Sequence, residues 1–148
     1  MSIRKQLDKP LRKLPYFRTS VDSAKTFADI TRLLEHYEIK DHLWGSLGGQ
    51  KTLTFVCEDM DHNKRLVQLG LPELIDNTNR LVPEEQTMRI FYYSLKGLLE
   101  ATAYGILSKD EVFMANTMLK LSDGSLKKFK QLRPSGTSLA LPENVETP

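Results

Sequence analysis

Between Pro83 and Gly105, apolar side chains return every three or four positions: Met88, Tyr92, Leu95 and Leu99, then Ile106, with Phe91 and Leu98 widening the stripe. That period belongs to an α-helix. Pro83 suits a first helical position, and Glu84 and Glu85 put negative charge where the helix dipole favours it. Gly105 suits the left-handed residue that closes such a helix. A helix this long and one-sided must bury its stripe against a second layer. The apolar arc also exceeds the roughly 100° that a surface helix buries, since Ile90 and Tyr93 lie on adjacent faces. Either a short helix expected at 108–118 or a second copy of the chain must cover the surplus.

The second layer is a sheet. Leu43 to Leu47 forms one short strand. After Gly48-Gly49, Leu53, Phe55 and Cys57 alternate with Thr52, Thr54 and Val56, and Arg65 to Leu69 follows a polar turn at 58–63. Alternation with period two marks half-buried strands, so these three form an antiparallel meander. Before them, Asp22 or Ser23 caps a helix over 22–38, with Phe27, Ile30, Leu33, Leu34 and Tyr37 on one face. Tyr16 to Thr19 reads as a short strand. Ser108 and Glu111 fit a capping box that opens a further short helix carrying Val112 and Phe113. Leu126, Phe129 and Leu132 fit one side of a last short helix. The expected fold is therefore two-layer α+β, with a three- to four-stranded antiparallel meander and a β-α-β-β-β-α-α order. Residues 15–133 make the domain, residues 1–14 a basic N-terminal arm, and residues 134–148 a flexible C-terminal tail.

The 148 residues suffice for one domain of ordinary composition, 40% hydrophobic and 27% charged. No apolar run reaches the roughly 20 residues of a membrane span, and the polar N-terminus lacks an apolar leader. The expectation is a soluble cytoplasmic protein. The net charge of +2 hides an uneven distribution. Arg4, Lys5, Lys9, Arg12, Lys13 and Arg18 face only Asp8, and Lys120, Lys127, Lys128, Lys130 and Arg133 face only Asp123. Two such basic segments make a positive patch if they meet in space, and that patch suits phosphate backbones. Arg4, Lys5, Lys9, Arg12, Lys13, Arg18, Lys127, Lys128 and Lys130 are accordingly the candidate nucleic-acid contacts.

Chemistry-bearing constellations are sparse. Glu58, Asp59, Asp61 and His62 are the densest group of potential cation ligands, yet they fall where the strands demand a turn, which Asp and Asn favour. Cys57, the one cysteine, is in phase with Leu53 and Phe55 and reads as a small buried hydrophobe. His36 and His42 flank the first helix end without further ligands. There is no phosphate-cradling glycine loop and no G-x-S-x-G elbow. No catalytic residue, metal or cofactor is expected. Tyr16, Phe17, Trp44, Tyr92, Tyr93 and Tyr104 are candidate base-stacking groups, with core packing as the competing use. The helix–three-strand–helix order matches the double-stranded-RNA-binding domain, but Pro83-Glu84-Glu85 carries the wrong sign where that domain grips phosphate.

Several stretches together resemble an uncharacterised family of small proteins encoded by bacteriophages, prophages and mobile elements. They are Tyr16-Phe17-Arg18-Thr19-Ser20, Leu33-Leu34-Glu35-His36-Tyr37, Glu100-Ala101-Thr102-Ala103-Tyr104-Gly105-Ile106, Glu111-Val112-Phe113 and Asp123-Gly124-Ser125. The resemblance covers about residues 15–130 and implies a mobile-element setting, with no catalytic residues attached. The expected function is a non-enzymatic accessory protein that contacts nucleic acid through its basic segments. Two alternatives stand beside it. One is an interaction protein that inhibits a host or defence factor by binding a protein or sequestering a nucleotide signal. The other is a small metal-dependent nuclease around Asp59, Asp61 and His62. The wide arc of the long helix also predicts a homodimer with Trp44, Ile90 or Tyr93 at its interface.

Overall fold

A computed structural model describes residues 4–58 and 61–128. The fold is α+β. Its centre is a three-stranded antiparallel meander of β2 (His42–Leu47), β3 (Gln50–Glu58) and β4 (Lys64–Leu71). Leu53 pairs with Trp44 on one side and Leu69 on the other, and Phe55 pairs with Val67. This register puts Leu53, Phe55, Cys57 and Val67 on one buried face. Here the alternation in the sequence and the burial agree.

Two helices complete that core. In α1 (Ser23–His36) the Asp22 carboxylate accepts from the Lys25 N–H at 2.8 Å, a conventional N-cap. Its Ile30, Leu33 and Leu34 are buried against the sheet and against Met88, Leu95 and Leu99 of α2 (Glu84–Ala103). The short α3 (Lys109–Phe113) opens with the expected reciprocal box between Ser108 and Glu111 and seats Phe113 edge-on against Phe55 at 5.3 Å. Among the described residues no helix is long and apolar enough to cross a membrane.

Both long helices end in the same hydrogen-bonded device. At α2, Ile106 N–H reaches Ala101 O and Gly105 N–H reaches Thr102 O, with Gly105 at φ +73°. At α1, Ile39 N–H reaches Leu34 O and Glu38 N–H reaches Glu35 O, with Glu38 at φ +62°. Glycine adopts that conformation without a Cβ clash, whereas a glutamate pays about 1 kcal/mol. Burial of Ile39 in the core holds Glu38 there.

The N-terminal segment departs from its expectation as an arm. β1 (Arg4–Gln6) pairs in parallel with β5 (Glu73–Ile75), which lies between the meander and α2. A helical turn at Leu11–Lys13 follows, and Leu14 is buried with Leu74 and Val82 in a second small cluster backed by Leu7, Leu11 and Ile90. Tyr16 to Thr19 is a turn, not a strand: Tyr16 and Arg18 both have positive φ, and Thr19 N–H bonds Tyr16 O at 3.0 Å. Near the other end, Leu126–Lys128 is a strand, β7, paired with β6 (Met118–Lys120), where a helix was expected. The Asp123-Gly124 turn between them makes a hairpin, because Asp123 accepts from both the Ser125 N–H and its hydroxyl. Phe129, Leu132 and the tail at 134–148 lie outside the described residues.

Candidate nucleic-acid interface

The surface where α1, α2 and the 12–18 segment meet is built around one arginine. Arg89 leaves the buried face of α2 and donates to Asp29 Oδ2 at 2.8 Å, joining the two helices. Its guanidinium lies 4.9 Å from the Tyr92 ring centre and 5.1 Å from that of Tyr93, and it also donates to the Tyr93 hydroxyl at 3.2 Å. Burial pushes the Asp29 carboxyl upward, but the hydrogen bonds from Arg89 and Lys25 outweigh it and hold the group below its usual range. Burial likewise works against the charged Arg89, and Asp29 and Tyr93 more than restore it. The pair stays ionised.

Two tyrosines beside this pair face solvent. Tyr16 stacks on Tyr93 with ring centres 4.9 Å apart and planes 12° from parallel. Tyr16 and Tyr93 are each about 40% exposed as residues, as is Phe17. The left-handed backbone at Tyr16 and Arg18 turns this aromatic pair outward while Pro15 O is held by Gln86 Nε2 at 2.9 Å. Cations lie near these aromatic side chains, Lys96 among them within 4.0 Å of the Glu100 carboxylate. Lys96 Nζ lies 6.0 Å from the Tyr93 ring centre, Arg18 covers Phe17 at 5.2 Å, and Arg12 and Lys13 are exposed just upstream. From Lys9 to Val21 the sequence contains no carboxylate.

The basic segment is pinned, not loose. Asp76 is buried and accepts from the amides of Leu11, Thr78 and Arg80 and from the Thr78 hydroxyl, all within 3.0 Å. Burial alone would raise its pKa. Those hydrogen bonds instead lower it from 3.8 to about 2. Lys9 O and Ile75 O add backbone bonds to Asn77 and Leu7.

The remaining expected site residues fall in several places. Arg4 pairs with Glu73 at 3.0 Å. Lys9 and Lys127 are exposed. Lys5 and the buried Lys128 both line one groove. Lys130 lies outside the described residues. Of the three expected interface residues, Tyr93 alone is exposed. Trp44 packs edge-on against Phe27 at 4.6 Å and near Phe91, and Ile90 is covered by the Leu14 cluster. The surplus arc of the long helix is thus covered in part by the N-terminal segment of the same chain, a solution the periodicity did not suggest. Cys57 is buried. Asp59 lies outside the described residues, and His62 faces Glu58 at 3.5 Å in a turn. Among the described residues, no three His, Cys, Asp or Glu side chains cluster to hold a metal.

Nothing in the sequence marks the stacking of Tyr16 and Tyr93, because 77 positions separate them and neither carries a pairing signal. No protein-family model matches the chain, and neither curated proteins nor solved structures give a match.

Proposed function

We propose that this chain is a non-enzymatic accessory protein of a phage or mobile element that binds single-stranded nucleic acid. The observation that carries the proposal is the exposed Tyr16–Tyr93 stack, with Lys96 beside it and a carboxylate-free segment carrying Arg12, Lys13 and Arg18 around Tyr16. Stacked aromatic faces accept unpaired bases of any identity, and flanking Arg and Lys neutralise the phosphates. Paired bases are already stacked and offer their edges in grooves, so a flat aromatic surface favours single strands. A base rests on the face of Tyr16 turned away from Tyr93, which backs it, while Arg12, Lys13, Arg18 and Lys96 follow the backbone. Nothing in this arrangement calls for bond breaking.

Fluorescence anisotropy with a labelled oligothymidine and the matching duplex tests this. Affinity for the single strand should exceed that for the duplex and fall linearly with log salt, with a slope of about −0.7 per phosphate neutralised. Arg18→Gln should reduce that slope by about one contact. Tyr93→Ala should weaken single-strand binding by about 1–3 kcal/mol. Absence of binding at low salt, or a preference for duplex unchanged by Tyr93→Ala, overturns the proposal.

A further inference from the structure

The meander has two outer edges, and they differ. Along β4, Thr117 bridges to Val67, β6 packs beside the strand, and its first residues are Lys64 and Arg65. The β2 edge is open: among the described residues only β3 pairs with it. Its sequence, His42-Leu43-Trp44-Gly45-Ser46-Leu47, holds no proline, lysine, arginine or carboxylate. Those are the residues with which sheets blunt an edge against pairing with another chain.

The ladder identifies what this edge offers. Val56 N–H donates to Asp41 O at 3.1 Å, so Asp41 and Val56 form a hydrogen-bonded pair. Such pairs alternate along an antiparallel ladder. Leu43, Gly45 and Leu47 therefore turn their N–H and C=O toward β3, and His42, Trp44 and Ser46 turn theirs outward. Side chains alternate too. Trp44 lies on the core face against Phe27, whereas Leu43 stands on the opposite face and is 68% exposed.

We propose that β2 pairs with β2 of a second copy of this chain, antiparallel about a two-fold axis at Trp44. That register matches every outward group. Trp44 faces Trp44 of the second copy and His42 faces its Ser46, each pair exchanging two backbone bonds. Moving the axis to Leu43 or Gly45 leaves Ser46 or His42 without a partner in the strand. The same register sets Leu43 opposite Gly45 of the second copy, where no side chain competes for space. The two Leu43 side chains become diagonal neighbours about 7–8 Å apart. A two-fold brings like charges together, and this strand has none to oppose it. Trp44 enters the contact through its backbone, with its ring still in the core. A strand of another protein would have to be matched to this edge, whereas a second copy is matched by symmetry. The paired length is only about 20 Å, so the interface is small and the dimer weak, with Kd of about 0.1 mM.

Sedimentation equilibrium of the full chain from about 10 µM to about 1 mM tests the proposal, and the mass should rise from monomer toward dimer. At about 1 mM roughly a fifth of the chain stays monomeric, so the amides of His42, Trp44 and Ser46 should exchange about fivefold more slowly than at high dilution. Leu43, Gly45 and Leu47, already bonded to β3, should gain less. Ser46→Pro removes an outward N–H and leaves the β3 ladder intact, as an edge strand tolerates. Leu43→Lys sets like charges across the axis at an exposed position and should leave the circular dichroism spectrum unchanged. Each should raise Kd at least about tenfold, and Tyr93→Ala should not change it. A chain that is monomeric at about 1 mM overturns the proposal and leaves the edge to a strand of another protein. A dimer that Leu43→Lys and Ser46→Pro both leave intact, or that forms without protecting those three amides, overturns it equally.

Discussion

The molecule has two apolar clusters built in different ways. The main core joins α1, the meander and α2 through side chains that repeat with the period of their own element, and Ile30, Leu34, Leu53 and Val67 are fully buried in it. The small cluster of Leu14, Leu74 and Val82 joins three segments without a shared period, and a buried carboxylate ties it down. The first is stabilised chiefly by area removed from water, the second by hydrogen bonds converging on Asp76. The difference bears on function, because the second cluster carries the basic segment to the body of the protein.

The largest effects should come from the main core. Leu34→Ala should lower the free energy of unfolding by about 3–5 kcal/mol in urea denaturation, as one cooperative loss seen equally in every amide. Leu14→Ala should cost less, about 2–3 kcal/mol, and act locally. In hydrogen exchange, Leu7 and Leu11 should lose protection in that variant while Phe55 keeps it. Equal loss at all three would show that the two clusters are one unit.

Acid should separate them without any mutation. The Asp76 carboxyl has its pKa lowered to about 2 in the fold, against an unfolded value near 4. Its contribution is therefore complete above about pH 4 and declines as pH falls toward 2, where the protonated group favours release. Leu7 and Leu11 amides should open in that window, and Asp76→Asn should abolish the pH dependence. A pH-independent opening in the wild-type chain would remove Asp76 from its anchoring role.

The smallest expected change runs the other way. Glu38→Gly should raise stability by about 1 kcal/mol, read as a higher urea midpoint, because it removes a left-handed Cβ clash that Ile39 burial now sustains. No gain would mean that Glu38 is not strained by its conformation.

Repeating local pattern made much of this fold legible. The apolar face of α1, the alternation in β3, the glycine after α2 and the Ser108–Glu111 box each advertise burial or capping within a few residues, so position in sequence determines position in space. Other features carry no such signal. Arg4–Gln6 is exposed at every position, so nothing in its sequence marks it as a strand, and its partner lies 69 residues away. Leu126–Lys128 is too short to show a period, and its hairpin partner decided its conformation. The Tyr16–Tyr93 stack and the Lys5–Lys128 groove exist only because packing brings remote segments together. Sequence by itself determined which surfaces had to be buried, through the fixed periods of helix and strand. Tertiary structure decided what covered the surplus of α2, because burial is non-directional and any apolar segment within reach can satisfy it.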